Sequence, residues 1–478
     1  MRKYKNAISL FSLIVFMITF AGCGTSGDVS GGSVAGSEEP GGGLPSEVAG
    51  AQTFADWTDC AVFQEVPAMI IANAKIGAAV DYGAGNYVID VNGTAPEDYR
   101  SYLVTLEEAG FTKYVDNGEK GLYSAVYAAT YQRGDLTVTV THVVKTEKTY
   151  VSACRDTRLS EHLFYKEEYV TENKKNAKTT LHMPELYYMG DCFVFQLKNG
   201  HFLLSDGGTT VELPYLLDYL ETLVPTGEKP VVEAWMISHA HPDHMGALQY
   251  FMSKPEYADR LFVEGVYYNE PNQEVGTHFG SNAANIRYIG MATKFLKTQS
   301  GTAPLIYRPQ TGQRYYFNDI TIDVVLSQDQ VLISNYSGDF NDSSTWLMYN
   351  IEGQKFLHAG DTETGGTGVV MRTYDKKYFN LEVFSVFHHG INVYDTFTDF
   401  CSFHTLLYPS HRLGSIWPEG SVYAKPAENA RLQGSAQESL TWGDGTKILT
   451  FPYKAGTARS LPLKNWIYNT APPSRDPK

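Results

Sequence analysis

Apolar positions recur along this chain with two different periods. Tyr99, Tyr102, Leu103 and Leu106 follow at i, i+3, i+4 and i+7, the spacing that lines one face of a helix. Thr94 followed by Glu97 makes a capping box, Pro96 falls in the first turn, and Gly110 ends the run. Elsewhere the period is two. In Leu136–Val144, the residues Leu136, Val138, Val140 and His142 share one face, and Thr137, Thr139, Thr141 and Val143 the other. Leu122–Thr130 reads as its partner strand across Arg133-Gly134-Asp135, and Asn86–Val91 as another strand. The β-α-β-β order predicts a small α+β domain over residues 53–175, with the helix on one sheet face. His142 and the tyrosines of this segment read as core or surface residues, and the domain as a partner-binding or spacing module.

From Leu181 the texture changes. Phe193–Leu197 and Phe202–Leu204 flank Lys198-Asn199-Gly200, and Asn-Gly is a strong hairpin turn. The second strand runs into Ser205-Asp206-Gly207-Gly208, followed by a leucine stripe at 213, 216, 217, 220 and 223. Val231–Ser238 reads as a buried strand. Further strands are predicted at Leu261–Tyr268, Ile320–Leu326, Thr345–Asn350, Lys355–Leu357, Val383–Phe387, Thr405–Leu407 and Lys447–Phe451. Strands alternating with helical stretches predict one large layered α/β domain over residues 178–470.

The first residues read as an address. Arg2, Lys3 and Lys5 precede an uncharged run, Ala7–Gly22, too short for a bilayer span and of signal-peptide form. Phe20-Ala21-Gly22 before Cys23 resembles a bacterial lipobox, which implies a signal peptide over residues 1–23 and lipid attachment at Cys23. An ordinary secretory signal with an incidental cysteine is the alternative. Residues 24–52, rich in Gly and Ser, read as a flexible tether. The expected location is extracytoplasmic, with the membrane reached through the lipid alone. Cys60, Cys154, Cys192 and Cys401 show no CxxC spacing, which argues against a cysteine zinc site and makes them buried or paired structural residues. A net charge of −15 argues against bulk nucleic-acid binding, although a local cationic site stays open.

The candidate chemistry is concentrated in Ser238-His239-Ala240-His241-Pro242-Asp243-His244. Imidazole and carboxylate are ligands for zinc and similar ions. His239 and His241, two apart in extended backbone, project to one side and can hold one ion. Asp243 and His244, where the chain enters a helix, can face a second.

This HxHxDH pattern resembles the metallo-β-lactamase superfamily, and other residues agree in order. Asp206 resembles that family's early structural aspartate; Gly360-Asp361 its strand-end, metal-bridging aspartate; Phe387-His388-His389-Gly390 its later histidine of the second metal. The resemblance implies an αββα sandwich and two divalent ions, zinc or else manganese, held by His239, His241, Asp243, His244, Asp361 and His388. Asp206 would hold a ligand in place. The family's third histidine for the first metal is missing. His278 and His358 are the histidines in that interval, and His358, three residues before Asp361 on a strand, should face the opposite way. The neighbourhood reads Asn341-Asp342-Ser343-Ser344 instead, similar to the hydrolase domain of the DNA-uptake competence protein, and Asn341 or Asp342 is a possible substitute.

The implied activity is hydrolysis by metal-activated hydroxide, with Asp243 orienting the attacking group and the spare histidine, taken as His389, or His411 with Arg412 serving the leaving group or an anionic oxygen. The competence-type motifs favour a phosphodiester, and the acidity of the chain favours a small or surface-displayed anionic substrate. A lactone or β-lactam hydrolase is the second expectation. A non-catalytic binding lipoprotein with a structural metal site is the third.

Overall fold

The computed structural model describes residues 52–462 apart from 55–56, 58–59, 73, 82–85, 117–125, 145–146, 156–177, 187–189, 251–254, 269–294, 328–340, 342–343, 392–394, 412, 416–420 and 422–423. The signal segment, Cys23, the tether, His278, Asp342 and Arg412 lie outside the described residues. No helix among those described is long and apolar enough to cross a membrane.

Alternation in the first third of the chain builds an antiparallel sheet. Its strands are β1 (Gln52–Phe54), β2 (Lys75–Asp81), β3 (Asn86–Asn92), β4 (Thr112–Asp116), β5 (Val126–Arg133), β6 (Leu136–Val143) and β7 (Lys148–Arg155). They lie in the order β1-β2-β3-β7-β6-β5-β4. Helix α1 (Pro96–Glu108) buries Tyr99, Tyr102, Leu103 and Leu106, the stripe seen in the sequence, against Ile89, Val138, Val140 and Val151. The cap lies one residue later than expected. The Asp98 carboxylate accepts from the Ala95 N–H at 2.8 Å, while the Thr94 hydroxyl turns inward to Thr149 and His142. The opposite face of the sheet is buried too: Thr130, Thr137, Thr139 and Thr141 are at most 3% exposed. From that face Val88 and Tyr150 join the apolar core of the following sheets, and the Gln313 amide donates to the Cys154 sulfur at 3.1 Å. Cys60, Cys154, Cys192 and Cys401 are all free thiols.

Two further sheets face each other. One contains β8 (Thr180–Met183), β9 (Cys192–Gln196), β10 (Phe202–Asp206), β11 (Val231–Ile237), β12 (Phe262–Val263), β13 (Gly265–Tyr268) and β14 (Leu305–Tyr307), completed by β22 (Lys447–Thr450) and β23 (Arg459–Ser460). The other runs in chain order through β15 (Arg314–Phe317), β16 (Ile320–Leu326), β17 (Trp346–Ile351), β18 (Gln354–His358), β19 (Asn380–Ser385), β20 (Ser402–Tyr408) and β21 (Glu438–Thr441). Their facing surfaces interlock through aromatic pairs: Phe195 stacks on Tyr349 at 4.4 Å, and Phe193 meets Phe356 edge-on at 5.1 Å.

Helices α2 (Leu213–Glu221) and α3 (Pro242–Tyr250) pack outside the first of these sheets. Outside the second lie α4 (Thr364–Thr373), α5 (Asp395–Phe400) and α6 (Pro426–Ser435), burying Val369, Val370, Phe397 and Leu432. The layer order is αββα. Strands β10 and β11 are parallel, as are β18, β19 and β20, so the two groups carry their C-terminal ends into loops that meet at one edge.

His142 is fully buried beneath α1, hydrogen-bonded to Thr94 and Thr149 at 3.3 and 3.1 Å. Burial lowers its pKa from the usual 6.5 to about 4. Between those values the unfolded chain binds the proton and the folded chain does not. The stability is therefore full above about pH 6.5 and is lost as pH falls toward about 4. Urea unfolding of His142→Gln across that window should show a shallower loss of stability than the parent chain; an identical slope would mean that this imidazole titrates normally.

Candidate metal centre

Each candidate ligand sits just past the C-terminal end of a strand. Apolar β11 ends at Ile237, and Ser238 to His241 form the turn into α3, whose first residues include Asp243 and His244. Strand β18 ends at His358 and leads into Ala359-Gly360-Asp361; β19 ends at Ser385 and leads to His388 and His389. Gly360, at φ +49°, is required by crowding: a Cβ there would fall 2.7 Å from Ser238 Oγ and 2.9 Å from Ser344 Oγ.

Asp206 fixes the HxHxDH turn. At 0% exposure, its Oδ1 accepts from the Ser238 N–H at 2.7 Å, and its Oδ2 accepts from Ser238 Oγ and His244 Nδ1, each at 2.7 Å. With Nδ1 donating, His244 turns Nε2 toward Asp361 Oδ1, 3.1 Å away. His389 is set in the same manner: Nδ1 donates to the Pro409 carbonyl at 2.8 Å, leaving Nε2 at 3.3 Å from Asp243 Oδ2 and 3.8 Å from Asp361 Oδ1. His239 Nε2 is 2.9 Å from His241 Nδ1 and 3.8 Å from Asp361 Oδ2. His388 Nε2 lies 3.5 Å from that same Oδ2. The backbone is held as well: the Asp361 N–H donates to Ser344 Oγ at 3.2 Å, and the Thr345 N–H to the Ser238 carbonyl at 2.8 Å, linking the two sheets at the site.

Two groups with ligand spacing result: Asp243, His244, Asp361 and His389, and His239, His241 and Asp361. Their residues fit metal ions. His244 Nε2, Asp361 Oδ1 and His389 Nε2 are buried, converge, and have no hydrogen-bond partner, a costly arrangement unless something binds between them. Burial would raise the Asp361 pKa, but His244, His388 and His389 hold it well below the ordinary carboxylate value. Burial likewise opposes charge on His244, yet Asp361, Asp206 and Asp243 raise its pKa well above normal. The buried carboxylates favour positive charge beside them, which imidazolium or a divalent ion can supply.

A third group, Asp191, Asp206 and His358, lies behind these. His358 does point away from Asp361: its Nδ1 is 2.7 Å from Ser205 Oγ and its Nε2 3.2 Å from Asp191 Oδ2. The Asp191 N–H donates to the Asp243 carbonyl at 2.9 Å. Sequence reasoning passed over Asp191, which belongs to no motif and shows only as an acid one residue before an apolar strand. Asn341 is buried near the site, but its amide donates to Glu363 at 3.3 Å; the Asn341–Ser344 element reaches Asp361 through Ser344. His411 packs beside Trp442, ring centroids 6.1 Å apart, and belongs to none of the three groups.

Residues 187–296 match the Metallo-beta-lactamase superfamily. No curated protein matches the chain. Among solved structures, the metallo-beta-lactamase fold protein YhfI from Bacillus subtilis is 12% identical, over 55% of this chain and 95% of that one, with a TM-score of 0.33. A Cronobacter sakazakii metallo-beta-lactamase with a HARLDQ motif is 13% identical over 45% of this chain and 79% of its own, TM-score 0.25. A metallo-beta-lactamase from Hirschia baltica is 9% identical over 52% and 70%, TM-score 0.21. The matched segment contains β9 to β11 and the whole HxHxDH turn. Residues 187–296 are thus similar to the metallo-beta-lactamase superfamily, whose members are mostly metal-dependent hydrolases, and the αββα layering around them is consistent with that fold.

Removing the Asp206 carboxylate should release His244 and leave the Ser238 N–H without its acceptor. Asp206→Ala is expected to lower zinc affinity about 10–100-fold in chelator competition. It should also destabilise the fold by about 3–5 kcal/mol in urea unfolding.

Proposed function

We propose that this protein is a metal-dependent hydrolase acting on a small or surface-displayed phosphodiester outside the cytoplasmic membrane. The observation that carries the hydrolase reading is the convergence of His244 Nε2, Asp361 Oδ1 and His389 Nε2, buried and without hydrogen-bond partners, on one point beside Asp243. Asp243, His244, His389 and Asp361 would hold one ion, and His239, His241 and the other oxygen of Asp361 a second. Divalent ions supply Lewis acidity and bring the pKa of water toward neutrality.

The chain's own residues do the positioning. Asp206 and the Pro409 carbonyl engage Nδ1 of His244 and His389, so that Nε2 faces inward and would offer its lone pair to a bound ion. Asp243, with its side chain 17% exposed, and His388, at 21%, form the side of the cluster that solvent reaches. Asp243 Oδ2 is the carboxylate oxygen best placed to orient an attacking group or take its proton. Among the described residues the neighbouring serine hydroxyls are engaged, Ser238 Oγ with Asp206 and Ser344 Oγ with the Asp361 N–H, which favours a metal-activated nucleophile over a serine.

The substrate class is supported by the competence-type Asn341–Ser344 and His388-His389-Gly390 motifs, and its small size by the net charge of −15, which disfavours a long polyanion. The basic residues, uncharged run and Cys23 at the N-terminus support a lipid anchor.

The chain loaded with zinc or manganese should cleave bis(p-nitrophenyl) phosphate, lose that activity to a chelator and regain it on metal addition. Asp243→Ala should lower kcat/KM by about two to four orders of magnitude. Faster cleavage of a chromogenic cephalosporin or a lactone would replace the substrate assignment. Absence of turnover on all three, with metal bound, would overturn the hydrolase reading.

A further inference from the structure

The first ion's group is one donor short. His239, His241 and Asp361 Oδ2 make three, against four in the other group, and His388 stands outside both groups but 3.5 Å from that Oδ2. We propose that His388 supplies the missing donor, so that the adjacent histidines 388 and 389 serve different ions. The assignment rests on the two-ion reading of the site.

The two oxygens of Asp361 divide the imidazoles between them. Oδ1 lies 3.1 Å from His244 and 3.8 Å from His389; Oδ2 lies 3.8 Å from His239 and 3.5 Å from His388. Bonds of about 2.0–2.1 Å in a tetrahedron separate neighbouring donors by about 3.3–3.4 Å, close to these spacings.

The backbone gives the reason adjacent side chains diverge. His388 (φ 49°, ψ 51°) and His389 (φ 51°, ψ 27°) are consecutive left-handed residues, followed by Gly390 at φ +83°. A non-glycine residue held there is strained by its Cβ. Such strain persists where surrounding structure over-determines it. Here the His388 N–H donates to the Gly360 carbonyl at 3.2 Å, the Ile391 N–H to the His388 carbonyl at 2.8 Å, and Asn429 Nδ2 to the Gly390 carbonyl at 2.8 Å. Five polar contacts, counting His389 to Pro409 and His388 to Asp361, hold this turn so that one ring faces each oxygen of a single carboxylate.

The test is metal binding by the full chain, stripped with chelator and titrated with cobalt(II) or zinc. His388→Ala should reduce tightly bound zinc from about two ions per chain to about one, the weakened site losing on the order of 100-fold or more in affinity. Circular dichroism of the metal-free variant should show the parent's fold, with a modest loss of thermal stability from the missing His388–Asp361 contact. His388→Cys should create a near-ultraviolet thiolate-to-cobalt charge-transfer band. Adding His239→Ala should abolish the band and adding Asp243→Ala should leave it. Unchanged stoichiometry and affinity in His388→Ala, or no band in His388→Cys, would overturn the assignment while leaving the two-ion reading intact. A band removed by Asp243→Ala and kept in His239→Ala would place His388 on the other ion and overturn it equally. A parent chain that binds fewer than about two ions would instead remove the reading beneath it.

Discussion

The arrangement at the strand ends depends on one buried carboxylate. Asp361 is 2% exposed, and an ion-sized charge withdrawn from water that far is unstable without partners of opposite sign. Its partners are imidazoles on elements distant in sequence: His239 and His244 from the sheet containing β11, His388 and His389 from the sheet containing β19. The electrostatic requirement of a single side chain thus joins the two halves of the sandwich at this edge. Gly360 and Ser344 serve it directly, one by letting the backbone pass close to Ser238, the other by accepting the Asp361 N–H.

Behind this lies a second layer of alternating charge. Asp206 stands between His244 on one side and His358 on the other, and Asp191 follows His358. Burial opposes charge on His358, but Asp191 and Asp206 raise its pKa, so the layer favours an imidazolium between two carboxylates. Ser205 bonds to His358, Ser238 to Asp206, and the Asp243 carbonyl accepts the Asp191 N–H, while Asp191 Oδ1 has no hydrogen-bond partner among the described residues. Little in this layer can move without moving a ligand, the usual condition for a site whose donors must hold their geometry when empty.

Much of this was legible in the sequence, for a physical reason. Strand ends are marked by an apolar run giving way to a short polar motif, and VVEAWMI before SHAHPDH, KFLH before AGD and LEVFS before VFHHG all have that form. The direction in which His388 and His389 point was not legible, because it follows from two left-handed residues that no local pattern announces. The cap of the first helix was placed one residue early, because the Thr94 hydroxyl has partners in the core and the Asp98 carboxylate accepts from the Ala95 N–H instead. Strand β7 was missed because Lys148–Arg155 is buried on both faces and loses the clean alternation of a half-buried strand. Two of the remaining omissions, β14 and β23, are strands of two or three residues whose pairing depends on residues distant in sequence.

The threonine-lined surface of the first sheet has a bearing on how the chain is made. Tyr114 finds its partner in Tyr374, 260 residues later. At about 5–20 residues per second, the ribosome takes on the order of 13–52 s to deliver that partner. A surface of valines would spend that interval as a sticky apolar plate. Thr130, Thr137, Thr139 and Thr141 have β-branched shapes suited to a sheet and hydroxyls that water can satisfy meanwhile, so the nascent protein carries a face that stays wet until its cover arrives.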